Sequence, residues 1–323
     1  MSTISKASGK RQDPGVRQPT IGYVPTDISS ARGLDLRGTA QRAEEVGLDH
    51  LGLGDHVSFY VGFGFDGLLT AALVLGATER LSVNTCVYLL PLRHPVLVAR
   101  QLADLGRLAP GRLLFGVGIG GEDPHEVEIC GVDPRTRGRR MDECMRIVRD
   151  LLAGGPVDHH SQFFDLDAAL IDPPPTAPIP MVVGGRSDAA VSRAGRLGDG
   201  WFGVWVSAER FGQVVAQVAD AATAAGRAGP TEHALNVWCG VGSSADEARS
   251  YVGPAMQAFY QLPYERFEKW SPAGTPAQIA EFLIPYAAVG CRTFNLIING
   301  NSIEAELDAS AEIRDHILEA TRA

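Results

Sequence analysis

The chain has 323 residues, with 29 Lys+Arg against 38 Asp+Glu for a formal net charge of −9, 45% hydrophobic residues, 37 Gly, 20 Pro and 7% aromatics. A charged fraction of 21% beside that apolar content is typical of a globular chain and excludes collagenous, fibrous or disordered sequence. The acidic sum, with both signs interspersed, excludes nucleic acid or an anionic membrane surface as the main partner, while the length admits either two domains or one large α/β barrel.

Residues 1–18 carry Lys6, Lys10, Arg11 and Arg17 but lack the apolar run of a secretory signal, so they read as a mobile N-terminal tail before a single domain spanning 19–323. Gly, Pro or charge interrupts every apolar stretch before it reaches the length of a membrane span. The cysteines at 86, 130, 144, 239 and 291 are odd in number and contain no CxxC pair, which predicts reduced thiols and a cytoplasmic protein.

From Ile21 onward, short apolar runs alternate with segments of helical period. This pattern predicts parallel strands joined by crossover helices, a (β/α)8 TIM barrel. The predicted strands are Ile21–Val24, Leu51–Gly54, Leu81–Leu89, Arg112–Gly118, Ile179–Val183, Gly200–Val204, Leu235–Val241 and Phe294–Ile298. Most are apolar on consecutive residues, as expected of strands covered on both faces. Between them, Phe211, Val214, Val215, Val218 and Ala222 form a helical stripe, and Thr275-Pro276-Ala277-Gln278 carries a capping box with proline at the first helical position. Pro285 is expected to kink that last helix. The stretch 154–178, with Asp158-His159-His160 and Pro173-Pro174-Pro175, is too polar and proline-rich for a barrel helix and is expected to be an insertion before strand 5.

Reactive groups of such a barrel stand at the C-terminal strand ends and in the loops after them. Strand 2 ends in Gly54-Asp55-His56, strand 3 in Cys86-Val87, strand 4 in Gly116 to Glu122, and strand 5 in Gly184-Gly185-Arg186-Ser187. Histidine as a residue type titrates near neutrality, so His56 can pass a proton, or it can simply bond a loop carbonyl; Asp55 either binds a ligand or caps the next helix. Gly184-Gly185-Arg186-Ser187 before a helix near Asp188 offers backbone N–H groups and a permanent cation to a phosphate. Cys86 is a possible redox nucleophile, against which stands its apolar strand. The glycines after strand 4 do not follow the GxGxxG pattern of a βαβ dinucleotide unit. His125, His159 and His160 lack a second pair at metal-ligand spacing, so no metal site is expected.

At these positions the chain resembles the bacterial luciferase-like monooxygenase superfamily, and in particular its coenzyme F420-dependent branch. The markers are Ala43 to Asp49 running into Gly54-Asp55-His56, Pro91 to Val96 with Ala99-Arg100-Gln101, Gly111-Arg112-Leu113 into Gly116-Val117-Gly118, Pro180 to Gly185, Arg196 to Trp201, and Gly274-Thr275-Pro276. The resemblance implies a deazaflavin (F420) lying across the strand C-termini and exchanging hydride with a small organic substrate, either a carbonyl, an activated C=C or an alcohol. It implies that Asp55 and His56 touch the deazaflavin head, with His56 assisting proton transfer, and that Cys86-Val87 forms a bulge with a non-prolyl cis peptide that backs the ring. It further implies that Gly184, Gly185, Arg186 and Ser187 hold the phosphate, that Glu122 falls near an acidic proton donor, and that the protein is a homodimer. FMN-using relatives carry an arginine just after strand 4, where this chain has Gly118-Ile119-Gly120; this favours F420. An FMN-dependent monooxygenase is the alternative, and a cofactor-free lyase or non-catalytic flavin-binding barrel is a third reading.

Overall fold

The computed structural model describes residues 17–26, 35–60, 62–121 and 123–322. Of the expected tail, only Arg17 and Gln18 fall among them, and Glu122 lies outside the described residues.

The eight apolar runs form β1 (Thr20–Tyr23), β2 (His50–Leu53), β3 (Ser82–Tyr88), β4 (Leu113–Val117), β5 (Met181–Gly184), β6 (Gly200–Val204), β7 (Ala234–Val241) and β8 (Thr293–Asn299). Each pairs in parallel with the next, and β8 closes on β1 through Ile21↔Phe294 and Tyr23↔Leu296. The predicted (β/α)8 barrel is therefore closed, with every strand end within two residues of the expected boundary. A short strand, Ala273–Gly274, adds to the C-terminal end of β7.

The covering helices are α1 (Leu36–Glu45), α2 (Gly67–Ala77), α3 (Pro95–Leu108), α4 (Pro124–Ile129), α5 (Arg137–Ala153), α6 (Asp188–Leu197), α7 (Ala208–Ala224), α8 (Ala245–Tyr260), α9 (Pro276–Ala288) and α10 (Ile303–Arg322). Their apolar stripes are core: Phe211, Val214, Val218 and Ala222 of α7 are buried, as are Val98, Ala99, Leu102 and Ala103 of α3. Burial of each large aliphatic side chain contributes roughly 1.5–3 kcal/mol. Thr275 and Gln278 form the capping box of α9. That helix continues through Pro285, which stands near its C-terminal end and removes only one late donor from the ladder. Between α5 and β5 the chain makes an antiparallel hairpin, Val157–His160 with Asp165–Ala169. A second hairpin, His56–Phe59 with Phe63–Phe65, follows β2. Among the described residues, no helix is long and apolar enough to cross a membrane.

The barrel interior contains a polar layer. Asn295 of β8 accepts at Oδ1 from His50 Nε2 (2.9 Å) and Asn84 Nδ2 (3.4 Å), and its own Nδ2 donates to Asn236 Oδ1 (2.9 Å). Gly22 makes room for it, because a Cβ there would run into the His50 ring. Burial pushes both His50 and His233 down from 6.5 to about 4. Below pH 6.5 the unfolded chain takes up protons that these folded imidazoles refuse, so stability falls with pH until about 4, where the folded imidazoles also protonate. Within that window each histidine removes up to about 1.4 kcal/mol per pH unit. Urea unfolding at pH 7, 6 and 5 should show this slope, and His50→Gln should flatten it; equal slopes in the two proteins would remove His50 from the account.

Candidate active site at the barrel mouth

A cavity of about 400 Å³ opens over the C-terminal ends of the strands. Asp55, His56, Cys86, Val87, Gly184, Gly185 and Arg186 all line it, so the fold gathers residues up to 131 positions apart. Ser187 is outside that lining: its hydroxyl caps α6 by accepting from Ala190 N.

The floor is mostly backbone. The Cys86–Val87 peptide is cis, as the resemblance implied. The Val87 side chain fits between two glycines: a Cβ on Gly118 would lie 2.5 Å from it, and one on Gly184 2.9 Å. Asn236, at the end of the interior polar layer, donates to Cys86 O (3.3 Å) and ties the bulge to the barrel core. Burial pushes the Cys86 thiol up to about 12, so it is protonated near neutrality and a poor nucleophile.

Asp55 is held within the protein. Its carboxylate accepts from Gly67 N (2.9 Å), Leu89 N (2.8 Å) and both terminal nitrogens of Arg93 (2.7 Å each). Burial pushes this carboxyl up, opposed by Arg93 and the two N–H groups. Four donors on two oxygens require the ionised, acceptor-only form. Of the two roles the sequence leaves open, this geometry is nearer the cap, though Asp66 is the N-cap of α2 and Asp55 adds the bond from Gly67 N that joins the start of α2 to the end of β3.

His56 has a partner 70 residues away. Its Nδ1 lies 3.1 and 3.2 Å from the Glu126 carboxylate, and the ring stacks on Phe59 at 4.1 Å between centroids. Glu126 is buried and also accepts from Val57 N (2.7 Å) and Ser58 N (3.1 Å). Burial would raise its pKa, but His56 and these two N–H groups outweigh burial and hold the carboxyl below the usual range. An ionised Glu126 makes Nδ1 the donor, so Nε2 is the nitrogen left for chemistry in the cavity. Asp123 secures the same hairpin through Tyr60 N (2.7 Å) and caps α4 through His125 N (3.0 Å).

On the opposite side, Gly185 adopts a φ of 130°, a conformation that favours glycine, and its carbonyl accepts from Trp201 Nε1 (2.7 Å). Arg186 stands exposed at the rim, 4.9 Å over the Trp205 ring. The turn thus presents backbone, a cation and the start of α6, a combination suited to an anion. Arg137 approaches Gly121, where a Cβ would lie 2.9 Å from its guanidinium, but it is not among the lining residues. On the insertion hairpin His159 pairs with Glu143 of α5 (3.0 Å) and His160 with Asp165 (2.6 Å), away from the lining.

The sequence reading missed Glu126, Arg93 and the aromatic side of the mouth: Phe59, Trp205, Trp238, Phe259 and Tyr260. Arg93 belongs to the Pro91–Val96 marker and was legible as a motif without a role. Glu126 had no signal, since only folding brings α4 beside the hairpin after β2.

The sequence profile of the luciferase-like monooxygenase family matches residues 23–281. An uncharacterised protein of Mycobacterium tuberculosis is 41% identical over 166 residues, 51% of this chain and 56% of that one. A protein of Kineococcus radiotolerans named F420-dependent glucose-6-phosphate dehydrogenase is 33% identical over 189 residues, 56% of this chain and 55% of that one. The chain therefore aligns with about half the length of the curated relatives it matches. A solved F420-dependent secondary alcohol dehydrogenase in complex with an F420-acetone adduct superposes with a TM-score of 0.81 at 22% identity, covering 93% of this chain and 99% of that one, which shows a shared fold.

Proposed function

The chain belongs to the luciferase-like monooxygenase family, and from that premise we propose that it is a coenzyme F420-dependent oxidoreductase. The observation that carries this reading is the His56–Glu126 pair beside a floor of glycines and backbone. The residues fit a deazaflavin: a Cβ at Gly118 or Gly184 would press on Val87, Gly54 lines the floor with open space where its Cβ would stand, and the Gly184-Gly185-Arg186 turn is suited to an anion. The relatives named for F420 support the same cofactor.

When bound, a reduced deazaflavin supplies a hydride, and its oxidised form accepts one. Gly184, Gly185 and Arg186 would hold the phosphate-bearing arm. The Cys86–Val87 bulge would back the ring, and Asp55 joins the β3 end to the α2 start through Leu89 N and Gly67 N. His56 would move the proton: Nε2 would give it to the substrate oxygen in the reducing direction and take it in the oxidising direction. Glu126 is a positioning residue that fixes the tautomer and favours the imidazolium. Glu122 is retained as a second proton-transfer residue on the strength of the resemblance alone.

Fluorescence titration with F420 and with FMN tests the cofactor. Saturable F420 binding with FMN at least tenfold weaker is expected, and the reverse order rejects the proposal. Trp201→Phe removes the bond to Gly185 O, a change worth about 1 kcal/mol, together with part of a fully buried ring. It should weaken F420 roughly fivefold; an unchanged affinity would dissociate the Gly185 turn from the cofactor.

A further inference from the structure

Resting on that reading, we infer that the substrate is a neutral, ring-bearing carbonyl compound or its alcohol, held on an aromatic wall, and not a phosphorylated sugar. Across the mouth, Phe59 joins Phe259 (5.7 Å), Phe259 joins Trp238 (5.8 Å), and Tyr260 joins both Trp238 (5.7 Å) and Trp205 (4.6 Å). The rings come from the hairpin after β2, the end of β6, β7 and the last turn of α8, so the wall is built by tertiary structure. It begins at the proton-transfer residue, since the same Phe59 stacks on His56.

The wall is maintained against a local cost. Trp205 has a φ of 49°, which a bulky side chain adopts only when its surroundings enforce it. Here Arg186 lies over one ring face, and Tyr260 and Phe267 pack at 4.6 and 4.8 Å. Within the wall Trp238 Nε1 donates to Tyr260 Oη at 2.9 Å, whereas Trp205 Nε1 is buried without a hydrogen-bond partner among the described residues. Asn236 uses its amide on Cys86 O and Asn295.

Charge narrows the class. Among the described lining residues the charged side chains are Asp55, His56 and Arg186, and Asp55 is paired with Arg93. Arg186 belongs to the turn assigned to the cofactor. Among the described lining residues there is no second permanent cation for a substrate phosphate, and a polyol burying several hydroxyls against these rings would leave them unpaired, at about 1–3 kcal/mol each. A flat apolar ring with one oxygen suits both the stacking surface and a single proton-transfer group.

The test first measures F420 affinity, then titrates acetophenone, 1-phenylethanol and glucose 6-phosphate by calorimetry, each into the F420 complex and into the cofactor-free protein. Acetophenone or its alcohol should bind at least tenfold more tightly than glucose 6-phosphate. Phe259→Ala should weaken the aromatic ligand about tenfold while leaving F420 affinity within twofold, which also reports that the variant is folded. Tighter binding of glucose 6-phosphate, or aromatic binding unchanged by Phe259→Ala, overturns the inference. Failure of F420 to bind rejects the cofactor reading instead, and the wall is then judged by the effect of Phe259→Ala on acetophenone binding to the cofactor-free protein.

Discussion

Arg93→Ala is expected to destabilise the protein by about 3–5 kcal/mol, because it leaves a buried carboxylate without its counter-ion. The Asp55 side chain is fully buried, whereas that of Arg93 is 17% exposed. The two halves of the pair are therefore unequal. Without Arg93, Asp55 keeps only the N–H donors of Gly67 and Leu89, and the cation stacked at 4.5 Å on the Tyr88 ring is lost as well. Without the charge on Asp55, the partly exposed guanidinium can turn to water or to Asp66, 3.4 Å away. Asp55→Asn should accordingly cost less than Arg93→Ala, and the double variant less than the sum of the two singles. Urea midpoints of the three proteins decide the point: a loss below about 1 kcal/mol for Arg93→Ala, or the reverse order, would show that Asp55 is not a buried structural charge.

The second large effect is kinetic. His56→Gln should lower kcat by about 10²–10⁴-fold with F420 affinity nearly unchanged, since positioned proton transfer contributes on that scale. Glu126→Gln should be milder, because a neutral amide oxygen can still accept from Val57 N, Ser58 N and His56 Nδ1. It removes the negative charge that favours the imidazolium, so the pH–rate profile should move towards lower pH. A purely structural Glu126 would change stability and leave the profile in place. If His56→Gln turns over any identified substrate within a few-fold of the unaltered protein, His56 is not the proton-transfer group.

The eight strands were readable because burial on both faces makes each a continuous apolar run, and the helices because their stripes and caps are local. The same locality made Gly54-Asp55-His56, Cys86-Val87 and Gly184 to Ser187 visible, since strand ends of a barrel share one rim. What those residues do there is another matter. Asp55 could bind a ligand or cap a helix, and only the approach of Arg93 and Leu89 from the β3 end shows its carboxylate to be engaged within the protein.

Hydrophobic period and capping chemistry act over a few residues, so the sequence by itself determined the barrel, its strand order and the rim on which chemistry can stand. Hydrogen bonds and ring contacts between distant segments carry no periodic signal. Tertiary structure alone decided that Glu126 orients His56, that Asn295 links His50, Asn84 and Asn236 beneath the floor, and that rings from four separate segments form one wall.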